Sequence, residues 1–148
     1  MGFEIIQVTI TNYNRFDDMV HWRMTGEERK SNDNIICDDI IKELANRNLY
    51  IYVAESNSKF VGWISLVYIP KVGKFNGNGH IFVDELWVEN HYRNKGIAKA
   101  LLEKANELSV KLCAVATRLY VNIENPIAQS LYEKCGYNSK CTAILMEK

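Results

Sequence analysis

Apolar residues recur along this chain at two spacings, and each spacing predicts a different element. Ala98, Leu101, Leu102, Ala105, Leu108 and Leu112 follow the three- and four-residue steps of a helix lying on a sheet, so a helix is expected over residues 95–111. Alternation around Phe3, Ile5 and Val8 predicts a strand over 3–10, and apolar runs predict further strands over 49–55, 60–69 and 80–88. Tyr13, Phe16, Met19, Val20 and Arg23 fall on one face of a helix reaching about Met24, with Thr11, Asn12 and Asn14 as cap candidates. Ile35, Ile36, Ile40, Ile41, Leu44 and Ala45 form another helical stripe ending near Asn46 or Asn48, after a polar loop over 25–34.

Turn residues mark the connections between these runs. The segment 56–59 is a short hairpin, and 70–79, rich in Gly and Asn, is a longer loop within one domain. Short strands are expected over 118–122 and 142–146. Between them Asn125, Pro126 and Gly136 supply an N-cap, a first-turn proline and a C-terminal glycine for a helix over 125–135. Ala128, Leu131, Tyr132 and Cys135 share one face of that helix, which turns Tyr132 towards the protein. The element order predicts an α/β or α+β domain with a mixed, mostly antiparallel sheet, and a ligand site between splayed strands near Lys95.

Composition narrows the partners. The chain has 148 residues, 47% hydrophobic and 24% charged, as expected for one globular domain. Its 18 cationic residues equal its 18 acidic ones, which predicts no nucleic-acid surface. No apolar stretch suggests a membrane span, and no leader pattern opens the chain, so a cytoplasmic protein is expected. Cys37, Cys113, Cys135 and Cys141 show no metal-ligand spacing and are expected as small apolar residues of the core.

Charge at one helix start breaks the local rules. Arg93, Lys95 and Lys99 stand where the helix dipole is positive, and Lys95 and Lys99 are like charges four apart. Each conflict costs roughly a few tenths of a kcal/mol in a bare helix. A phosphate-type anion on the amides of Lys95, Gly96, Ile97 and Ala98 reverses both effects. Gly96, without a Cβ, allows close approach of backbone to ligand. Neither the dinucleotide-binding glycine pattern nor the Walker A spacing is present. Solvated surface lysines explain the same charges without a ligand.

These residues resemble the GNAT superfamily of N-acetyltransferases. The resemblance rests on the strand Leu86-Trp87-Val88, the loop Arg93-Asn94-Lys95-Gly96-Ile97-Ala98, and the later set Asn125, Pro126, Ala128, Leu131, Tyr132, Gly136 and Tyr137. It covers the chain from Phe60 onward; about the first fifty residues match in pattern alone. Ala98 replaces a second glycine found in many members and leaves less room at the phosphate, and Tyr137 stands for the commoner Phe.

The resemblance implies a single GNAT domain over 1–148, with a central sheet of about six to seven strands flanked by about four helices. It implies acetyl transfer from acetyl-CoA by direct attack of a primary amine on a small molecule or peptide, without a metal. The pyrophosphate would sit on the amides from Arg93 to Lys99, including Asn94. Leu86, Trp87 and Val88 would offer strand backbone to the pantetheine arm, and Asn125 would touch the cofactor from across the cleft. Family members are often dimers, so a homodimer stays open. A non-catalytic acyl-CoA-binding or regulatory module is the alternative.

Chemistry then selects catalytic candidates. An alkylamine is only about one part in a thousand neutral at pH 7, so a base or water chain must take its proton. Asp84 and Glu85 are the candidates; strict alternation places Asp84 with Leu86 and Val88, which favours Asp84. Tyr132 matches the family's general acid for the departing thiolate, although a core tyrosine is its plain structural role. An acyl-enzyme on Cys135 or Cys141 is disfavoured because no His lies nearby in sequence. Glu27, Glu28, Asp33, Asp38 and Asp39 hint at a cationic acceptor, but Arg23, Arg29 and Lys30 lie among them. Trp22, Trp63 and Trp87 either line the cleft or fill the core.

Overall fold

A computed structural model describes residues 2–30 and 36–148. Five strands form one sheet in sequence order: β1 (Glu4–Gln7), β2 (Leu49–Ser56), β3 (Lys59–Ile69), β4 (His80–Val88) and β5 (Thr117–Leu119). The first three pairings are antiparallel and only β4–β5 is parallel. Four helices complete the described residues: α1 (Tyr13–Thr25), α2 (Asp38–Leu44), α3 (Ile97–Lys111) and α4 (Pro126–Lys134). Mixed α/β architecture and four helices agree with the sequence reading, but the sheet has five strands rather than six to seven.

The strand expected over 142–146 does not form. Ile144, Leu145 and Met146 are 88%, 86% and 87% exposed. Three consecutive apolar residues provide no alternation to fix a face, and β5, beside which they would pair, is only a three-residue edge. Strand β1 is also shorter than expected. The Asn12 side chain accepts from the Thr9 amide at 2.8 Å and donates to the Gln7 carbonyl at 3.0 Å, tying the chain into a turn. The stripe over 35–46 shortens to α2, which opens at Cys37 with Asp38 and Asp39 favourably placed in its first turn. Ile35 and Asp33 lie outside the described residues. The cysteines also depart from expectation: Cys37, Cys113 and Cys141 are exposed and Cys135 is half-buried, because they fall at helix ends, a turn and the tail.

Each sheet face carries its own core. Helix α3 covers one, where Ile97, Leu101, Leu102, Ala105 and Leu108 meet Ile64, Leu66, Ile81 and Val83, with Leu131, Tyr132 and Cys135 of α4 at the edge. Burial of each large aliphatic side chain contributes about 1.5–3 kcal/mol, which anchors the α3 start to the sheet. Helix α1 covers the opposite face, with Met19 buried against Val8, Val53, Phe60 and Trp63. Gly26 ends α1 in the left-handed conformation, φ 72°, and its amide donates to the Trp22 carbonyl.

A β-bulge separates the two halves of β4. Ser65 pairs with Glu85 but Leu66 pairs with Val83, so Asp84 is the extra residue. Ile81 and Val83 before it, and Leu86 and Val88 after it, therefore all reach the α3 face. Glu85 and Trp87 turn instead to the α1 face, where both meet Trp63. Strict alternation through the bulge gave the sequence reading its grouping of Asp84 with Leu86 and Val88, and the inserted residue breaks that grouping.

Candidate active site

Strands β4 and β5 separate where the sequence reading expected a cleft. Their parallel register runs from Ile81↔Thr117 to Val83↔Leu119, where β5 ends. Strand β4 continues through Asp84, Glu85, Leu86, Trp87 and Val88 without a β5 partner. Its backbone along this edge is available to an extended ligand that adds like a strand. On its other side β4 packs closely on β3: a Cβ at Gly62 would lie 2.7 Å from the Trp87 carbonyl oxygen.

The open edge leads through the turn Asn90–Tyr92 to the N-terminus of α3. Gly96 is the N-cap residue, with φ 82° and no capping side chain, and the helix starts at Ile97 rather than Lys95. The positive φ is what requires glycine, since a Cβ there would meet nothing within 4 Å. The space beside Gly96 is open, at the positive end of α3 where the first-turn amides lack intrahelical partners.

The residues named for this loop divide by what their side chains do. Ile97 is only 2% exposed and serves the core, so just its amide is available to a ligand. Arg93 Nε donates to the Val88 carbonyl at 3.0 Å, and Lys95 Nζ donates to the His91 carbonyl at 2.9 Å while lying 5.0 Å from the Tyr92 ring centre. Both cations fold the loop back on itself. Asn94, with φ 61°, and Lys99 are exposed, and Ala98 is half-buried.

Across the sheet end, Asn125 caps α4 by accepting from the Ala128 amide at 3.0 Å. Tyr132 and Tyr137 meet edge to face with ring centres 6.0 Å apart. Burial raises the pKa of Tyr132 above its ordinary value of 10.0 by disfavouring the phenolate. Burial also pushes Tyr137 up to about 12, and the Tyr137 hydroxyl has no hydrogen-bond partner among the described residues.

A cavity of about 270 Å³ lies between α1 and the end of β4, lined by Trp22, Arg23, Gly26, Trp87, Asn90 and Arg93. Trp63 is 1% exposed and packs on the lining residue Trp87, their ring centres 4.9 Å apart. Thus Trp22 and Trp87 line the cleft and Trp63 fills the core. Glu85 accepts from the Trp63 indole at 3.2 Å and lies 3.8 Å from Arg23, whereas Asp84 makes no side-chain hydrogen bond or ion pair among the described residues.

Sequence reasoning placed Arg23 on the inward stripe of α1 without giving it a role. A cation on an otherwise apolar stripe was the available signal. Asn90 carried none. Of the acids near α1, Asp39 pairs with Lys42 at 3.7 Å, and Arg29 binds Asp17 and Asp18.

The profile of the Acetyltransferase (GNAT) family matches residues 14–137. The chain belongs to that family. It is 31% identical over 94 residues to the uncharacterized N-acetyltransferase YhfO of Bacillus subtilis, covering 64% of this chain and 62% of that protein. It is 26% identical over 124 residues to a spermidine N(1)-acetyltransferase of Thermoplasma acidophilum, covering 82% of this chain and 71% of that one. The crystal structure of an aminoglycoside acetyltransferase from an uncultured soil metagenomic sample superposes with a TM-score of 0.80 at 16% identity, over 99% of this chain and 95% of that one. At that identity the superposition shows the GNAT fold alone.

Proposed function

We propose that this GNAT domain transfers an acetyl group from acetyl-CoA to a primary amine. The observation that carries the reading is the edge of β4 from Asp84 to Val88, left without a β5 partner where β5 stops at Leu119 and followed, after the turn Asn90–Tyr92, by the start of α3 at Gly96. An extended pantetheine arm fits an unpaired strand edge, and a pyrophosphate fits free helix amides.

The protein's own groups then divide the chemistry. Backbone of Leu86, Trp87 and Val88 holds the arm, and the amides from Arg93 to Lys99 hold the pyrophosphate. Asn125 orders the start of α4 on the far side. Glu85, on the α1 face beside the cavity, takes the proton of the acceptor ammonium; Asp84, exposed at the bulge, is the second candidate. Tyr132, whose hydroxyl carries its proton at neutral pH, donates to the departing thiolate.

Calorimetric titration of acetyl-CoA into wild type, Gly96→Ala and Gly96→Asp tests the foundation. Alanine introduces only the strain of a positive φ, about 1 kcal/mol, whereas aspartate adds a negative charge at the phosphate position. Wild type and Gly96→Ala are expected to bind and Gly96→Asp to fail. Equal binding by all three would remove α3 from the site. Binding without turnover on any amine would instead leave the acyl-CoA-binding module.

A further inference from the structure

The cavity between α1 and β4 has a charge pattern that fits one kind of acceptor and repels another. Its lining holds two guanidinium groups, Arg23 and Arg93, two indoles and an amide, with no carboxylate among the described residues. Arg23 is held in place by stacking, its guanidinium carbon 4.9 Å from the Trp63 ring centre and 5.8 Å from that of Trp87. Among the described residues it forms one ion pair, with Glu85 at 3.8 Å. That distance gives attraction but no hydrogen bond, and both side chains are partly exposed, Arg23 in the cavity lining and Glu85 beside Arg23. Glu85 is already oriented by the Trp63 indole at 3.2 Å.

From these contacts we propose that the acceptor is an α-amino acid, acetylated on its own α-amine. The inference rests on the acetyltransferase reading of the same cleft. An α-amino acid carries an ammonium and a carboxylate on one carbon, and the adjacent Glu85 and Arg23 present the two opposite charges. The carboxylate accepts from the guanidinium fork of Arg23, and the ammonium donates to Glu85. An apolar or aromatic side chain then lies against Trp22 and Trp87, whose ring centres are 6.2 Å apart. A polyamine offers Glu85 an ammonium too, but it brings no anion for Arg23, and its further cationic groups meet Arg23 and Arg93 in the lining.

The step balances with the acetyl thioester as co-reactant. Glu85 takes one proton from the ammonium, and the freed nitrogen lone pair attacks the thioester carbonyl carbon. The N–C bond forms, the C–S bond breaks, and its electron pair leaves on sulfur. The nitrogen loses a second proton to solvent, the thiolate gains one from Tyr132, and Tyr132 is reprotonated from solvent while Glu85 releases its proton there. The products are an N-acetylamino acid, free CoA thiol and one released proton. Arg23 acts as a specificity residue through the carboxylate it binds.

Matched acceptors test the proposal: L-phenylalanine against phenethylamine, which differs by the carboxylate, with spermidine as the polycation. Wild type is expected to favour phenylalanine over phenethylamine by about tenfold or more in kcat/KM, because the amine leaves Arg23 without its partner. Arg23→Gln should bring that ratio close to one, and Arg23→Lys should restore part of it, with thermal melting run on each variant to confirm folding. A preference for phenethylamine or spermidine, or a ratio that survives in Arg23→Gln, overturns the proposal.

A second arm needs no turnover. Quenching of tryptophan fluorescence is titrated with N-acetyl-L-phenylalanine and N-acetylphenethylamine on the CoA-loaded wild type. Equal binding, or binding of neither, also overturns the inference. Failure of the underlying acetyltransferase reading is seen separately, as absence of acetyl-CoA binding in the calorimeter.

Discussion

At the scale of single residues, the two tyrosines near α4 have different prospects. Tyr132 was expected from its motif, and burial raises its pKa, which makes it a weaker acid, so its role as proton donor rests on its place in the motif. Tyr132→Phe is expected to lower kcat by about a hundredfold while acetyl-CoA affinity stays nearly constant, measured by steady-state kinetics beside calorimetry. An unchanged kcat would return Tyr132 to a packing role. Tyr137 bears on stability instead. Its folded pKa of about 12 exceeds the ordinary value of 10.0, so the folded chain keeps a proton that the unfolded chain loses. The shift has no effect on stability below about pH 10, and stability falls as pH rises from there towards 12 because the fold disfavours the buried phenolate. Tyr137→Phe should flatten that alkaline decline in urea unfolding. At neutral pH it should be neutral or stabilising by up to about 1 kcal/mol, since the hydroxyl it removes has no partner among the described residues.

At the scale of elements, periodicity identified those that bury a face. Helix α3 fits its predicted stripe because Leu101, Leu102, Ala105 and Leu108 all enter the core. The C-terminal segment was equally apolar in sequence, yet it packs on nothing. Leu101→Ala is therefore expected to cost about 2–5 kcal/mol, whereas Ile144→Ser or Leu145→Ser should change stability by less than about 0.5 kcal/mol in chemical denaturation. A large loss from either serine variant would mean that the tail is buried in solution. The bulge at Asp84 is the other lesson at this scale. One inserted residue turned Glu85 and Trp87 onto the α1 face, and nothing in the local composition of β4 announces where a bulge falls.

For the whole molecule, the site joins elements distant in sequence. The cavity takes Trp22, Arg23 and Gly26 from α1 and its end, and Trp87, Asn90 and Arg93 from β4 and the following loop. Because the α3 start is anchored through the main core, ligand binding should stabilise the entire domain. Acetyl-CoA at about a hundred times its dissociation constant is expected to add about 2.7 kcal/mol and raise Tm in a thermal scan, and Gly96→Asp should abolish the rise. A shift that persists in Gly96→Asp would place binding elsewhere.

The sequence by itself determined the family, the four helices, most strands and the cationic helix start, since each is written in local spacing: helical stripes, caps, Gly96 and the two motifs. Only the tertiary structure decided how many strands pair, which acid on β4 meets the α1 face, and that Arg23 stands beside Glu85 against two indoles. Those outcomes depend on register and on contacts between segments far apart in the chain. Hydrophobic periodicity reports which face of an element is buried, but it carries no information about which distant residue that face will meet.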